Sequence, residues 1–202
     1  PRVLPAPCSR RLRKGGVLLR DPRLPELLSR SRGENVAVLV GAGLSAASGI
    51  PTFRGAQGYW AVGSTFYQPQ EMATRQAFGT MPDEVWRWYL YRRGVCRTAE
   101  PNAGHRALAE LERRIGDRLS LITQNVDGLH RRAGHAPERV CEVHGCIELM
   151  RCVEECGAPP EPIGEDIGAI ARDEVPGDEV WARLRCSACG EPTRPHVLWF
   201  DE

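Results

Sequence analysis

A chain of 202 residues, 42% of them hydrophobic, can bury one substantial core plus a small appendage. Its formal net charge of +1 sets up no field that would draw it to nucleic acid or to a membrane surface. No apolar run approaches the length of a membrane span, and no signal-peptide pattern is visible.

Residues 1–33 differ from the rest. Arg2, Arg10, Arg11, Arg13, Lys14 and Arg20 precede the first acid, Asp21, and prolines interrupt any helix. Transit peptides share that Arg-rich, acid-poor character, but an amphipathic period is missing. A solvated basic tail is expected, with a short helix near Leu24–Ser31. The expected location is cytoplasmic, with the mitochondrion as the alternative if this stretch is the remnant of a transit peptide. Lys14 is the only lysine among 27 basic residues, which reads as codon bias. The start at Pro1 suggests a processed chain or a fragment.

Val36–Val40 is a run of five apolar, mostly β-branched residues and predicts a buried strand. Gly41, Ala42, Gly43, Leu44, Ser45 and Ala46 follow, matching G-x-G-x-x-G/A at a strand-to-helix turn, where backbone N–H groups can approach a pyrophosphate. Glycines also simply end strands. A dehydrogenase of this type places an acid about 20 residues further on for the ribose. Here there is no Asp or Glu between Glu34 and Glu71, so a hydride carrier is not indicated. No Gly-Lys-Ser/Thr follows, which excludes a P-loop. The glycines lead instead into Gly49–Trp60, a Gly/Pro-punctuated loop with aromatics and a single arginine, Arg54.

The stretch from Gly49 to Arg97 is too long for a plain connection and predicts an inserted helical lobe. Within it, Pro82–Arg97 reads as a helix with Asp83 and Glu84 in its first turn. Val85, Trp88, Tyr89, Val95 and Cys96 form one apolar stripe, and Arg92 lies on that stripe. An inward arginine is costly unless it meets an anion. An internal carboxylate or a snorkelling side chain would satisfy it, and so would an anionic ligand, for which its guanidinium fork is suited. Asn102–Arg114 predicts a further helix, and Leu119–Thr123 and Val140–Val143 predict strands.

Ligands in open α/β sheets lie beyond the carboxyl ends of the strands. Three polar clusters fall there: Gly41–Ser45, Gln124–Asp127, and His144. Asn125 and Asp127 could merely cap the next helix, and His144 could be a satisfied core histidine. Their convergence favours a site.

Cys152-x3-Cys156-Gly157 and Cys186-x2-Cys189-Gly190 have the spacing of two zinc knuckles. Four thiolates close a tetrahedron, which is a structural rather than a catalytic site. Two unrelated pairs of reduced thiols are the alternative. The Cys-, Pro- and acid-rich region around them reads as a module too poor in core to fold without metal, with an acidic mobile loop at Ala158–Asp178. Cys8, Cys96, Cys141 and Cys146 read as lone thiols.

Taken together, the glycine loop, Gln124-Asn125-Val126-Asp127, Glu142-Val143-His144-Gly145, the cysteine pairs and Arg194–Phe200 resemble the sirtuins, NAD-dependent protein lysine deacylases, in order and over roughly Asn35–Glu202. The resemblance implies NAD and zinc, and acyl-lysine proteins or peptides as substrates, with no nucleic-acid or membrane partner. It makes His144 the general base: substrate amide oxygen displaces nicotinamide at C1′ of the ribose, and His144 then takes a proton from a ribose hydroxyl. Imidazole, with an ordinary pKa of about 6.5, suits that work. Gln124, Asn125, Val126 and Asp127 would orient nicotinamide and ribose. Gly41, Ala42, Gly43, Ser45, Ala46, Gly49, Ile50, Pro51, Thr52, Tyr59 and Trp60 would help bind NAD, and Phe53 and Arg54 would line the loop that closes over it. Tyr89-Leu90-Tyr91-Arg92 resembles the Y-x-x-R signature of the branch that removes succinyl, malonyl and glutaryl groups. Ala73 matches the small residue that widens that pocket, and Val197–Phe200 would pair with the substrate backbone. The x3 spacing of the first cysteine pair departs from the family's x2.

The resulting expectation is a Rossmann-like parallel α/β sheet with an inserted helical lobe and a small zinc module, part of the family fold beyond Glu202 being missing and NAD binding correspondingly weak. The boundaries are 1–33 for the tail, 34–146 for the NAD-binding domain with its lobe at 50–97, 147–195 for the zinc module and 196–202 for the start of the substrate strand. An ordinary deacetylase of the same family, a non-catalytic NAD/zinc module, and a hydrolase using Ser45, Asp127 and His144 are the rival readings.

Overall fold

A computed structural model describes residues 33–52, 69–167, 170–171 and 174–202. The chain divides into Pro1–Glu34 and a compact unit, Asn35–Glu202. No helix among the described residues is long and apolar enough to cross a membrane.

The compact unit holds two sheets. Strands β1 (Val36–Val40), β2 (Leu119–Thr123) and β3 (Val140–Glu142) form a parallel sheet in the order β1-β2-β3. The predicted third strand stops one residue early, although Val143 N still donates to Thr123 O at 3.0 Å. The register sets Val40 beside Thr123 and Thr123 beside Glu142, so all three strands end level. Loops leaving them therefore emerge at one edge.

The prediction that β1 is buried throughout needs correction. Only Val40 is buried, and Leu39 is 68% exposed. Successive residues of a strand point to opposite faces. One face packs Val40, Leu121 and Val140 against Leu108, while the other is uncovered among the described residues. Leu108 comes from the predicted Asn102 helix, observed at Ala103–Ile115. Asn102 caps it by accepting from the N–H groups of Gly104 and His105, and His105 Nδ1 accepts in return from Asn102 N.

Short helices α1 (Pro69–Met72) and α2 (Arg75–Thr80) precede α3 (Pro82–Thr98), and the Ala103–Ile115 helix is α4. Helix α3 was expected to bury one stripe. It buries two. Val85, Tyr89 and Cys96 enter one cluster with Ala73, Ile147 and Trp199, while Trp86 and Leu90 enter another with Met150 and Leu184. Trp88 and Val95, expected on the stripe, are half-buried.

The second sheet is antiparallel, with β4 (Gly145–Cys152) between β5 (Glu161–Pro162) and β6 (Thr193–Val197). Gly145 has φ +80, and a Cβ there would lie 2.1 Å from His196 O, so glycine is required where β4 meets β6. The coreless module and acidic loop are also corrected. Ile163, Ile167 and Ile170 are buried in the Trp86–Leu90 cluster, and a helix α6 follows at Asp178–Arg183, after the short α5 (Leu129–Arg132). The module shares its core with α3, a contribution its own apolar pattern could not reveal.

Candidate active site

The loop after β1 turns back through Leu44 N to Gly41 O (3.1 Å) and Ser45 N to Ala42 O (3.2 Å). The expected helix is only a four-residue 3-10 turn, Ser45–Ser48, closed by Gly49 at φ +84. So short a turn offers N–H groups but little macrodipole. Gly41 and Gly43 do not adopt positive φ, and Gly49 is the loop residue whose backbone favours glycine.

The loop after β2 packs against this turn. Ser45 Oγ donates to Asp127 Oδ2 at 2.6 Å, and both residues are buried. Asn125 Nδ2 reaches Gly41 O and Ser45 Oγ, each at 3.1 Å. Asp127 Oδ1 accepts from Leu129 N at 3.0 Å in the turn that leads into the helix at Leu129–Arg132, whose N-cap is Gly128, and this bond coexists with the one to Ser45. Val126 contributes its carbonyl to Ile147 N, which carries the site into β4.

His144 is half-buried, with Nδ1 3.0 Å from Gln124 O. A carbonyl only accepts, so the neutral ring carries its proton on Nδ1 and turns a basic Nε2 outward. This geometry removes the hydrolase reading. A catalytic triad sets histidine between serine and carboxylate. Here Ser45 bonds Asp127 directly, and His144 is oriented by a carbonyl.

On the lobe side, Ala73 is buried and its carbonyl accepts from Phe200 N at 3.0 Å. Arg92 is 5% exposed, as expected of an inward arginine, and its guanidinium lies 4.7 Å from the Trp88 ring and 5.9 Å from the Tyr89 ring. The Tyr89 hydroxyl accepts from Trp199 Nε1 at 2.9 Å, and burial pushes its pKa up to about 12. The strand expected at Val197–Phe200 is displaced. β6 ends at Val197, and the next N–H groups turn inward, Leu198 to His144 O and Phe200 to Ala73 O. Pro195 sits within the paired strand, opposite Met150, so the ladder forms earlier than the apolar run suggested.

The sulfurs of Cys152, Cys156, Cys186 and Cys189 all lie within 4.8 Å of one another, with Cys152–Cys189 and Cys156–Cys186 at 3.6 Å. Tetrahedral zinc with bonds of about 2.3 Å places sulfurs about 3.8 Å apart, so the donor set fits. The N–H groups of Cys189 and Ala188 point at Cys186 and pull its thiol below the ordinary value. The longer first spacing is absorbed by Glu155, which takes φ 48, and by Gly157 at φ 88.

Residues 41–202 match the pattern that defines the Sir2 family. The chain belongs to the Sir2 family. It is 43% identical over 185 residues to NAD-dependent protein deacylase sirtuin-5, mitochondrial, of Canis lupus familiaris, covering 85% of this chain and 57% of that protein. It is 42% identical over 173 residues to an NAD-dependent protein deacylase of Leptospira interrogans, covering 86% and 63%. Among solved structures, a Sir2 homologue in complex with ADP-ribose superposes with a TM-score of 0.68 at 39% identity, covering 88% of this chain and 64% of that one. The chain spans about three fifths of the length of the curated relatives it matches.

Within this Sir2 chain the structure brings together Gly41–Ser45, Gln124–Asp127 and His144 at one sheet edge, and Ala73, Tyr89, Arg92 and Val197 around α3. Phe200 is 60% exposed. Phe53, Arg54, Tyr59 and Trp60 lie outside the described residues. Sequence reasoning missed Trp199, the partner of Tyr89. It also missed Arg93, which is 1% exposed and bonds Glu148 and the carbonyls of Ile163, Gly164 and Ile167. A third omission is a buried stack of His105, His130 and His135, with His135 bonded to Glu112. His105 closes a capping box with Asn102 in the structure, and nothing in sequence spacing joined the other two histidines to it.

Proposed function

We propose that this chain carries the catalytic part of an NAD-dependent protein lysine deacylase that prefers succinyl, malonyl or glutaryl groups. The observation that carries the reading is the His144–Gln124 bond, which leaves a basic imidazole nitrogen at the sheet edge where Asn125, Ser45 and Asp127 converge. NAD would supply the ribose C1′ and the hydroxyls to which the acyl group passes. The chain's own residues would do the rest. His144 Nε2 would take a ribose hydroxyl proton, Asn125 and Asp127 would hold the ribose end, and the Gly41–Ser45 turn would face the phosphates. The names of the relatives and the ADP-ribose complex support NAD as the second substrate. The four cysteines would hold a structural zinc, distant from any chemical role.

Acidic-acyl preference is supported by Arg92 on the inner side of α3 beside Tyr89. A guanidinium fork matches a carboxylate bidentately. The test uses full-length protein with matched succinyl- and acetyl-lysine peptides. Nicotinamide should appear only with NAD and peptide together, and His144→Ala should abolish it. Arg92→Met should lower the succinyl-to-acetyl ratio of kcat/KM by between ten- and a few hundredfold, since hydrogen bonds to a charged group contribute roughly 1.5–3 kcal/mol. Equal losses on both peptides would make Arg92 structural.

A further inference from the structure

Trp199 is held from every side. Its indole N–H donates to the Tyr89 hydroxyl at 2.9 Å, and its backbone N–H donates to Glu202 Oε2 at 3.1 Å. The Arg194 guanidinium stacks 3.4 Å from its ring centroid. That guanidinium is itself fixed by both Glu202 oxygens and by Val197 O. Phe78 closes the remaining face, ring centroids 5.4 Å apart. Trp199 is 3% exposed, and so well anchored an indole cannot turn its N–H away from Tyr89.

A phenol hydroxyl has one proton and two lone pairs, whereas an indole N–H can only donate. The bond from Trp199 therefore occupies a lone pair and commits the Tyr89 proton to some other direction. Among the described residues, the Trp88 ring, 4.7 Å away edge-on, and the Arg92 guanidinium also lie against Tyr89, and its hydroxyl donates no hydrogen bond. Neither offers a strong acceptor. A hydroxyl arranged in this way is a donor poised for an acceptor that arrives with a ligand. Burial keeps it protonated through the physiological range.

We propose that Trp199 is a positioning residue for acyl selection: its indole N–H orients the Tyr89 hydroxyl so that the hydroxyl donates to the distal carboxylate of an acidic acyl group. Arg194 and Glu202 act one step further back by fixing the indole. A phenylalanine at 199 would fill the same core yet leave the Tyr89 hydroxyl free to rotate. This assignment rests on the deacylase reading above and deepens it.

The test is a double-mutant cycle in the full-length protein, with Trp199→Phe, Tyr89→Phe and the pair. The readout is the ratio of kcat/KM for succinyl- over acetyl-lysine peptide, each split into kcat and KM. Each single substitution is expected to lower that ratio by about tenfold, chiefly through the succinyl KM, as a lost hydrogen bond would. The double variant should lose no more than Tyr89→Phe alone, because Trp199 acts only through that hydroxyl. Replacing Trp199 with benzothienylalanine, which swaps N–H for sulfur at constant shape, should reproduce the loss with the melting temperature retained. Additive losses, or a ratio unchanged by benzothienylalanine, would overturn the assignment. Failure of the deacylase reading looks different: no NAD-dependent nicotinamide release on either peptide, even from the parent protein.

Discussion

Ser45 Oγ and Asp127 Oδ2 lie 2.6 Å apart, 82 residues apart in sequence, and tie the loop after β1 to the loop after β2. The same serine oxygen accepts from Asn125 Nδ2. Ser45→Ala leaves a buried carboxylate oxygen and a buried amide without this partner, a cost of about 1–3 kcal/mol. The urea midpoint should fall accordingly, and ester hydrolysis in the absence of NAD should be undetectable in both proteins. An unchanged midpoint would mean that the bond contributes nothing, and NAD-independent esterase activity lost with Ser45 would restore the triad.

Arg93 ties α3 to β4 through Glu148 and to the segment after β5 through the carbonyls of Ile163, Gly164 and Ile167, four hydrogen bonds in all. Removing the buried cation strands those acceptors, so Arg93→Met should cost about 3 kcal/mol or more. Arg93→Lys should recover little, since an ammonium cannot span acceptors set out for a planar fork. Hydrogen exchange of residues 161–167 should rise well before global unfolding in both variants. Protection equal to the parent would show that the buried isoleucines alone hold this segment.

The four-cysteine cluster predicts about one zinc per chain, released with unfolding by a strong chelator. Cys186→Ser should abolish stoichiometric metal and destabilise β4 and β6, read as lost circular dichroism and a lower melting temperature. Near-zero metal in freshly purified, reduced protein would count against the site. Retention of full zinc in Cys186→Ser would show that Cys186 is not a ligand.

Short-range patterns were legible where a single rule governs them. Val36–Val40 and Leu119–Thr123 were read to the residue, and Asn102 identified the start of α4. The cysteine pairs were also readable, because ligand spacing is local. What sequence could not show was which surfaces meet. Helix α3 is buried on two sides, so Trp86 and Leu90 blur the one-sided stripe that amphipathic reading looks for. Ile163, Ile167 and Ile170 sit among Pro, Gly and acids and looked like loop residues until Trp86 covered them. In the site, the position of Asp127 after β2 and of His144 after β3 pointed to the sheet edge where the structure places both. The bond from Ser45 to Asp127, the Gln124 carbonyl behind His144 and the indole behind Tyr89 are all long-range, and no spacing rule encodes them.

His130 is 2% exposed, and neither ring nitrogen has a hydrogen-bond partner among the described residues. Burial, then the neighbouring His105 and His135, lowers its pKa from 6.5 to about 4, and burial also lowers that of His105. The native ring therefore stays neutral where the unfolded one protonates. Below pH 6.5 the unfolded state binds more protons, so stability is fully present above 6.5 and is lost as pH falls towards 4. The contribution of His130 to that decline should be about 2–3 kcal/mol. Phenylalanine has a similar shape and no nitrogen to desolvate, so His130→Phe should be close to neutral at pH 7.5 and more stable than the parent at pH 5. Urea midpoints measured from pH 7.5 to 4.5 decide it: parallel curves for parent and variant would place the acid sensitivity elsewhere.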